Sequence, residues 1–338
     1  MQVGKLTPAA LQQLIFDRLG QRRGEVVLRG SLGEDSAALD LAGDLCVIST
    51  DPITGASKNA GWFAVHVSCN DVATNGAEPV AVLLTLLLPA GSDLSLVQEI
   101  MADAERAAQE VSVEIVGGHT ELTAAVNQPI ISTTVIGRAT RQGLATSASI
   151  HPGDALVATK YVGLEGTAIL AWDYPGVTRP LLGEELWEAA KELQRLISVV
   201  PEARIAADLG VKAMHDVTEG GVLGAAYEMA GAAGLGFELE EANLLLHPAT
   251  KRLAEHLQFD PLRLISSGTL LLATPEPEQL IAALKAREIP ASVIGHFHRD
   301  ETMRLIRRDG VIADVKPPES DELWRLQSKL QAQEGDAC

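Results

Sequence analysis

Four short stretches of the sequence combine acidic or amide side chains with glycines or small residues. They contain Glu34 and Asp35, then Asp51, then Asn70 and Asp71, then Gly117, Gly118, His119, Thr120 and Glu121. Hard cations such as Mg²⁺ bind carboxylate oxygens together with ligand phosphates, and glycines let backbone N–H groups approach phosphate oxygens. Each stretch alone is more typical of a turn or a helix cap. Together they weaken that interpretation, because capping does not explain a carboxylate in mid-helix.

That mid-helix carboxylate is Asp71. It follows Asn70 in the segment GWFAVHVSCNDVATNGAEP, which is rich in small and apolar residues. The segment predicts a helix over residues 58–75 that Gly76 ends in the left-handed conformation. A buried carboxylate costs several kcal/mol unless it is paired. The sequence therefore predicts a partner, which is a cation from this chain, a bound metal or water at an open edge.

In the second half, the run HDVTEGG contains Asp216, Gly220 and Gly221 where a predicted strand enters a predicted helix. A helix N-terminus can receive an anion such as a phosphate. A capping box with glycines for close packing explains the same residues equally well. There is no Walker A pattern and no nucleophile elbow, so a nucleotide would be held by another kind of site.

The elements that must position these residues alternate along the chain. Strands are predicted at residues 44–51, 80–88, 111–118 and 129–139, and helices at 58–75 and 95–110. The strand at 80–88 is expected to be fully buried, Ser95 and Gln98 to form a capping box, and the Gly117–Gly118 pair to form a turn. Helices mixed with adjacent strands favour an α+β fold. A polar, turn-rich stretch predicts domains at 1–145 and 150–315, followed by a tail at 316–338.

Composition excludes several classes of protein. The chain has 338 residues, of which 46% are hydrophobic and 21% charged, which is typical of a globular protein of two domains. Its net charge of -18 argues against a general nucleic-acid binder. Three cysteines without metal or disulfide spacing, no signal peptide and no apolar run of membrane length predict a cytoplasmic protein with no membrane partner.

With these residues in view, the chain resembles the PurM-like superfamily, and within it the AIR synthase-related, HypE-like branch. The motifs GEDSAAL, STD, NDVATNGAEP, GGHTE, PGD and HDVTEGG carry the resemblance, in the family's order and spacing over residues 4–315. The resemblance implies a two-domain α+β fold whose ferredoxin-like N-terminal domain forms a dimeric β-barrel, and hence a homodimer. It also implies ATP and Mg²⁺ near the dimer interface and phosphoryl transfer to an acceptor oxygen.

The resemblance also implies roles for particular residues. The metal ligands would be Asp35, Asp51 and Asp71. The nucleotide would be bound by Asn70 and by the run Gly117, Gly118, His119, Thr120 and Glu121. The second-domain side of the site would be lined by Asp216, Gly220 and Gly221, and the catalytic residues would be Asp51, Asp71 and Asp216.

The chain departs from the family's pattern in ways that keep alternatives open. His119 stands where several members carry an acidic residue, and Glu219 replaces an arginine of HypE. HypE ends in Pro-Arg-Ile-Cys, and its cysteine carries a carbamoyl group that is dehydrated to a nitrile. Here Cys338 follows QEGDA. The alternatives are HypE-type dehydration on Cys338 with a hydrogenase-maturation partner, and a nucleotide-binding assembly protein without catalysis. The acceptor is not identified.

Overall fold

The computed structural model describes residues 8–9, 12, 25–28, 31–34, 36–40, 43–53, 59–318 and 320–335, without the side chains of 331–335. Asp35 and Cys338 lie outside these residues. The described residues form two compact units. The N-terminal unit contains residues 25–28 and those described from 36 to 144. The C-terminal unit contains 8–9, 12, 31–34 and those described from 145 onward.

The described part of the N-terminal unit contains a six-stranded sheet, whose strand order is β1-β2-β3-β6-β4-β5. The strands are β1 (Val26–Leu28), β2 (Ala37–Asp40), β3 (Leu45–Ile53), β4 (Glu78–Pro89), β5 (Glu114–Thr123) and β6 (Ile130–Ala139). Strands β4 and β5 are parallel, and the other neighbours are antiparallel. Helices α1 (Ala60–Thr74) and α2 (Leu94–Val111) pack on one face, the covered face. The opposite face is called the open face.

Helix α1 forms as predicted and is buried along almost its whole length. Small residues let it approach α2 closely, since a Cβ added to Gly61 would lie 2.1 Å from the carbonyl oxygen of Ile100. Gly76 follows the helix with a φ of 71°, which confirms the predicted left-handed end. Asp71 therefore sits in a buried helix, as the sequence predicts.

Three local predictions are wrong. Strand β4 is not fully buried, because helices cover only one face: Leu84 is 3% exposed and Leu83 is 37% exposed. Gly117 and Gly118 do not form a turn, because β5 continues through them with φ values of 151° and 149° that favour glycine. Helix α2 is capped by Asp93, which accepts a hydrogen bond from the backbone N–H of Ser95, and not by a capping box.

The C-terminal unit contains a seven-stranded sheet in the order β13-β12-β9-β11-β7-β10-β8 among its described residues. Its strands are β7 (Ala155–Thr159), β8 (Ala213–Asp216), β9 (Gly236–Glu240), β10 (Leu270–Thr274), β11 (Ala291–His298), β12 (Met303–Ile306) and β13 (Ile312–Asp314). All neighbouring pairs are antiparallel except β9 and β12, which are parallel.

Helices of the C-terminal unit pack around two main apolar clusters. They are α3 (Leu164–Asp173), α4 (Pro175–Leu182), α5 (Glu184–Glu192), α6 (Val200–Asp208), α7 (Gly221–Ala233), α8 (Pro248–Leu257), α9 (Pro277–Lys285) and α10 (Glu322–Gly335). Both units mix helices with largely antiparallel sheets, which confirms the predicted α+β class. Of the helices described, none is both long and apolar enough to cross a membrane.

Candidate functional site

The buried carboxylate of Asp71 has a partner on strand β3. The hydroxyl of Ser49 donates a hydrogen bond to Asp71 Oδ2 at 2.6 Å, and both side chains are buried. Ser49 and Asp51 are two residues apart on one strand, so both point to the covered face, where α1 packs. The structure therefore brings two of the predicted metal ligands, Asp51 and Asp71, to the same helix–sheet interface.

Two further hydroxyls at this interface have no hydrogen-bond partner among the described residues. Thr133 is fully buried and pairs with Asp51 across β3 and β6, so the two side chains are neighbours on the covered face. Ser36 is 1% exposed and directly precedes β2. Ala37 pairs with Ile48 in the antiparallel register of β2 and β3, so the same register places Ser36 opposite Ser49. Buried hydroxyls without partners are rare in proteins, and here two of them flank the carboxylates.

These residues fit a magnesium ion bound together with a phosphate group. Mg²⁺ is commonly held by one or two carboxylates, with water and phosphate oxygens as the other ligands. Asp51 and Asp71 would supply the carboxylates, and the unpartnered hydroxyls are groups that a hydrated ion would satisfy. In the part of the chain that is described, no set of three metal-binding side chains is assembled. Asp35, the third predicted ligand, lies outside that part, so its role stays a prediction.

The predicted nucleotide-binding residues lie in two places. Asn70 is fully buried beside Asp71 in α1. Gly118 lies on the row of paired residues that runs from Asp51 through Thr133 and Leu84. It is therefore three strand spacings from Asp51, roughly 14 Å. A nucleotide can span that distance, whereas a single metal ion cannot.

The rest of the predicted run on β5 is exposed at the edge of the sheet. His119 pairs with Thr85 and Glu121 pairs with Leu87, and these β4 side chains alternate with the buried ones. His119 and Glu121 therefore lie on the open face, where His119 Nε2 is 3.3 Å from Glu121 Oε2. Gly117 lies on that face as well, whereas Thr120 pairs with Leu86 on the covered face. Their role in nucleotide binding stays a prediction.

In the C-terminal unit, Asp216 ends the edge strand β8 and is fully buried. The preceding His215 is also buried, and its Nε2 lies 3.3 Å from Glu228 Oε2 on α7. Its Nδ1 lies 2.7 Å from the carbonyl oxygen of Asp216. The carboxylate of Asp216 thus lies beside a buried histidine, whose other ring nitrogen is close to a second carboxylate.

The glycines of the same motif are closely packed. The N–H of Gly220 donates to the Asp321 carboxylate at 2.8 Å, and a Cβ added to Gly220 would lie 2.8 Å from Pro318 Cβ. A Cβ added to Gly221 would lie 2.5 Å from the carbonyl oxygen of Leu262. In this structure a carboxylate of the chain therefore occupies a position that was predicted to receive a phosphate. The predicted nucleotide role of the two glycines stays untested.

Two buried carboxyls beside this motif have raised pKa values. Burial raises the pKa of Glu165 to about 7, although the Ser267 N–H donates a hydrogen bond to it. Burial also raises the pKa of Asp321 to about 7, against hydrogen bonds from the N–H groups of Leu323 and Gly220. The charge of Glu219 raises both pKa values further. Folding therefore favours the neutral forms of Glu165 and Asp321.

Replacing Glu165 with glutamine should remove part of the pH dependence of stability. A raised pKa means that the folded state binds the proton more tightly, so the stabilisation is present at low pH and is lost as pH rises towards 7. Glutamine stays neutral and can accept the same hydrogen bond. Relative to the wild type, the variant should gain up to about 3 kcal/mol in unfolding free energy between pH 4 and pH 8. Urea titrations at both pH values measure this, with the exposed Glu185→Gln as the control. An equal change in both variants would contradict it.

Sequence reasoning missed several of these residues, although some carried signals. Asp321 directly precedes the apolar periodicity of α10 and caps it through the N–H of Leu323, which is a standard helix-start pattern. Glu165 is a charge inside the otherwise small and apolar run GLEGTAILA. Ser49 lies in the STD motif, but nothing in that motif indicates its contact with Asp71. Thr133 carried no signal, because threonine is common in strands and only the tertiary pairing brings it to the carboxylates.

The chain matches known proteins along most of its length. Residues 33–139 match the N-terminal domain, and residues 151–307 the C-terminal domain, of the AIR synthase related proteins. It is 30% identical over 317 residues to carbamoyl dehydratase HypE of Escherichia coli strain K12, covering 87% of this chain and 89% of that protein.

Solved structures share the fold. A crystal structure of the E. coli hydrogenase maturation protein HypE matches with a TM-score of 0.74 and 27% identity, over 87% of this chain and 93% of that one. A HypE structure in complex with ATP matches with a TM-score of 0.72 and 23% identity, over 96% and 98% of the two chains. The two matched domains and the shared fold define a two-domain protein of the PurM-like class. The chain belongs to the AIR synthase related family, in its HypE branch.

Proposed function

We propose that the protein is an enzyme that uses ATP and Mg²⁺ to transfer a phosphoryl group to an acceptor oxygen. The observation that carries the proposal is the hydrogen bond from Ser49 that fixes Asp71 against β3, on the face to which Asp51 points. The relatives support it, since a protein of this fold was crystallised in complex with ATP. The acidic groups would act through the metal and not as nucleophiles.

Phosphoryl transfer requires little covalent chemistry from the protein, because positioning and charge stabilisation dominate. Bound Mg²⁺ would neutralise charge on the phosphate oxygens. Asp51 and Asp71 would hold that ion, and Asn70 and Gly118 would contact the nucleotide. Asp35 would complete the ligand set. A direct test is the release of ADP from ATP with and without Mg²⁺ in the presence of candidate acceptors.

A finer candidate is the carbamoyl dehydration named in the E. coli relative. The oxygen of a carbamoyl group on the Cys338 sulfur would attack the γ-phosphorus and release ADP. Loss of both N–H protons and of the phosphate formed on that oxygen would then leave a thiocyanate. A hydrogenase-maturation partner would donate the carbamoyl group. Mass spectrometry of Cys338 after incubation with that partner and ATP should show a carbamoyl adduct that then loses one water. Absence of any adduct with a competent partner would contradict the candidate, and Cys338→Ser is the control.

A second class of function is a nucleotide-binding assembly protein without catalysis. The placement of His119 on the open face, away from Asp51 and Asp71, favours it, because no acidic side chain is then added to the metal ligands from that position. Affinity for ATP without turnover on any acceptor would support this candidate. Turnover that depends on Mg²⁺ would exclude it.

We also propose a homodimer that forms through the open face of the N-terminal unit. The apolar side chain of Leu83 is 37% exposed on that face, and Val80 and Val116, at irregularities in the pairing of β4 and β5, are 46% and 50% exposed. Burial of such a surface is the usual source of dimer stability. Leu83→Asp should therefore weaken self-association at least about 100-fold, since a charge in an apolar interface costs several kcal/mol.

Sedimentation equilibrium of the wild type and the variant measures this effect. Ile312→Asp is the matched control, because Ile312 is 60% exposed on the edge strand β13 of the other unit. We expect a dimer for the wild type and for Ile312→Asp, and a monomer for Leu83→Asp. A dimer that tolerates Leu83→Asp would place the interface elsewhere.

A further inference from the structure

The interface between α1 and the sheet of the N-terminal unit contains more polar groups than the two carboxylates. Ser36, Ser49 and Thr133 surround them on three neighbouring strands or strand ends, and each is at most 9% exposed. Ser68 on α1 adds a hydroxyl that donates to the carbonyl oxygen of Thr133 at 3.5 Å. An ordinary helix–sheet interface is apolar, so this polar cluster requires an explanation.

Ser49 has one proton to donate, and it donates that proton to Asp71 Oδ2. A separation of 2.6 Å lies in the normal range for a hydrogen bond from a hydroxyl to a carboxyl oxygen. The backbone of Asp71 is held as well, because Thr74 Oγ1 donates to its carbonyl oxygen at 2.6 Å. The side chain and the backbone of Asp71 are therefore each tied by one hydroxyl, which restricts the direction in which the carboxylate can point.

The hydroxyl of Thr133, in contrast to that of Ser49, has no hydrogen-bond partner in the described part of the chain. Valine has the same shape, and it would avoid the cost of burying that hydroxyl. A threonine at this position therefore makes the protein less stable than it could be. Its neighbour across the strands is Asp51, so the unsatisfied hydroxyl lies beside a predicted metal ligand.

We propose that Ser49 and Thr133 are positioning residues of the metal site, with Ser49 orienting Asp71 and the Thr133 hydroxyl accepting a hydrogen bond from a metal-bound water beside Asp51. This inference rests on the proposed Mg²⁺ and ATP binding and assigns two residues to it. Carboxylates and waters that bind metals are generally held by such outer contacts, whose loss costs about 10–100-fold in affinity.

The two residues have opposite expected effects on stability. Ser49→Ala removes a hydrogen bond from a buried carboxylate and should lower the melting temperature. Thr133→Val removes an unsatisfied hydroxyl and should raise the melting temperature of the metal-free protein by about 2–4 °C. Both variants should weaken metal binding. If Thr133 had a purely structural role, replacing it with valine would not both raise the melting temperature and weaken metal binding.

The sheet provides a matched control on its other face. Thr50 and Thr134 are adjacent in sequence to Ser49 and Thr133, and Thr134 donates a hydrogen bond to Thr50 at 3.0 Å. Their side chains point to the open face, because successive residues of a strand alternate. Thr134→Val therefore removes the same kind of hydroxyl from the same strand without changing the carboxylate cluster.

The test is the affinity of the full chain for the ATP analogue AMPPCP, measured by calorimetry with saturating MgCl₂ and again with EDTA. The ratio of the two affinities measures how much bound Mg²⁺ contributes to binding of the analogue. Relative to the wild type, this ratio should fall about 10–100-fold in Ser49→Ala and about 10-fold in Thr133→Val, with affinity in EDTA unchanged. Thr134→Val should leave the ratio unchanged.

Two other outcomes would overturn the inference. If the wild type binds the analogue with the expected Mg²⁺ dependence and all three variants match it, the assignment of Ser49 and Thr133 is wrong but the proposed function stands. If the wild type shows no Mg²⁺ dependence, both are wrong. Should Ser49→Ala fail to fold, Ser49→Cys keeps the volume with a much weaker donor, and Thr133→Val tests the inference independently.

Discussion

Asp71→Asn should lower Mg²⁺-dependent turnover of ATP by at least about 100-fold while the protein stays folded. The metal contributes several kcal/mol of charge stabilisation to phosphoryl transfer, and each 1.4 kcal/mol is a factor of about ten in rate. Asparagine keeps an oxygen that can accept the Ser49 hydrogen bond, and it removes a charge from a residue that is 1% exposed. The loss should therefore appear in turnover and not in folding.

Asp51→Asn should behave in the same way, because both carboxylates would hold the same ion. Asp44→Asn is the control, since Asp44 is an exposed carboxylate directly before β3. Turnover is measured as ADP release, and folding by circular dichroism and thermal melting. Turnover at the wild-type rate in both site variants would contradict the assignment of the metal ligands.

Lys160→Met should lower the unfolding free energy of the C-terminal unit by about 3–5 kcal/mol, because it leaves a buried carboxylate without its counter-charge. Lys160 Nζ lies 2.6 Å from Glu202 Oε1, and both side chains are buried. The same ammonium donates to the carbonyl oxygens of Leu196 and Ser198 at 2.8 and 2.7 Å. All three of its protons are thus used. Burial lowers the pKa of Lys160, and the charge of Glu202 opposes that effect.

Urea titration measures the effect, and a cycle of variants gives it a physical cause. Glu202→Gln alone should also destabilise the unit, whereas Lys160→Met with Glu202→Leu should recover much of the loss, because no unpaired charge remains. Arg204→Met is the control on the same helix. Arg204 forms an exposed pair with Asp208, so this substitution should cost less than about 1 kcal/mol. Additive losses in the double variant would contradict this explanation.

The position of Asp71 shows how far the sequence alone leads. Small residues, a glycine end and a carboxylate in mid-helix predict both the burial of α1 and the need for a partner. The partner, Ser49, is 22 residues away on another element. No periodicity within either segment indicates that contact, because it depends on how α1 packs on the sheet.

Strands β4 and β5 show where local patterns mislead. The continuous apolar run of β4 is typical of a fully buried strand, yet its alternate residues are exposed because helices cover one face only. The Gly117–Gly118 pair is typical of a turn. Here these glycines allow close parallel pairing instead, since a Cβ added to Gly118 would lie 1.8 Å from the carbonyl oxygen of Leu84.

The C-terminal unit shows the same limit at the HDVTEGG motif. The sequence leaves a phosphate site and a closely packed cap as alternatives, because both require glycine. The structure adds Asp321, about a hundred residues away, whose carboxylate accepts the N–H of Gly220. Long-range partners of this kind decide how a motif is used, and a single sequence does not contain them.

A crystal structure of the full chain with AMPPCP and MgCl₂ is the most direct test. We expect one Mg²⁺ coordinated by Asp51 and Asp71, with the phosphates of the analogue on the same ion and Ser49 still bonded to Asp71. A nucleotide bound with its metal away from both carboxylates would contradict the central claim that these two residues hold Mg²⁺-ATP.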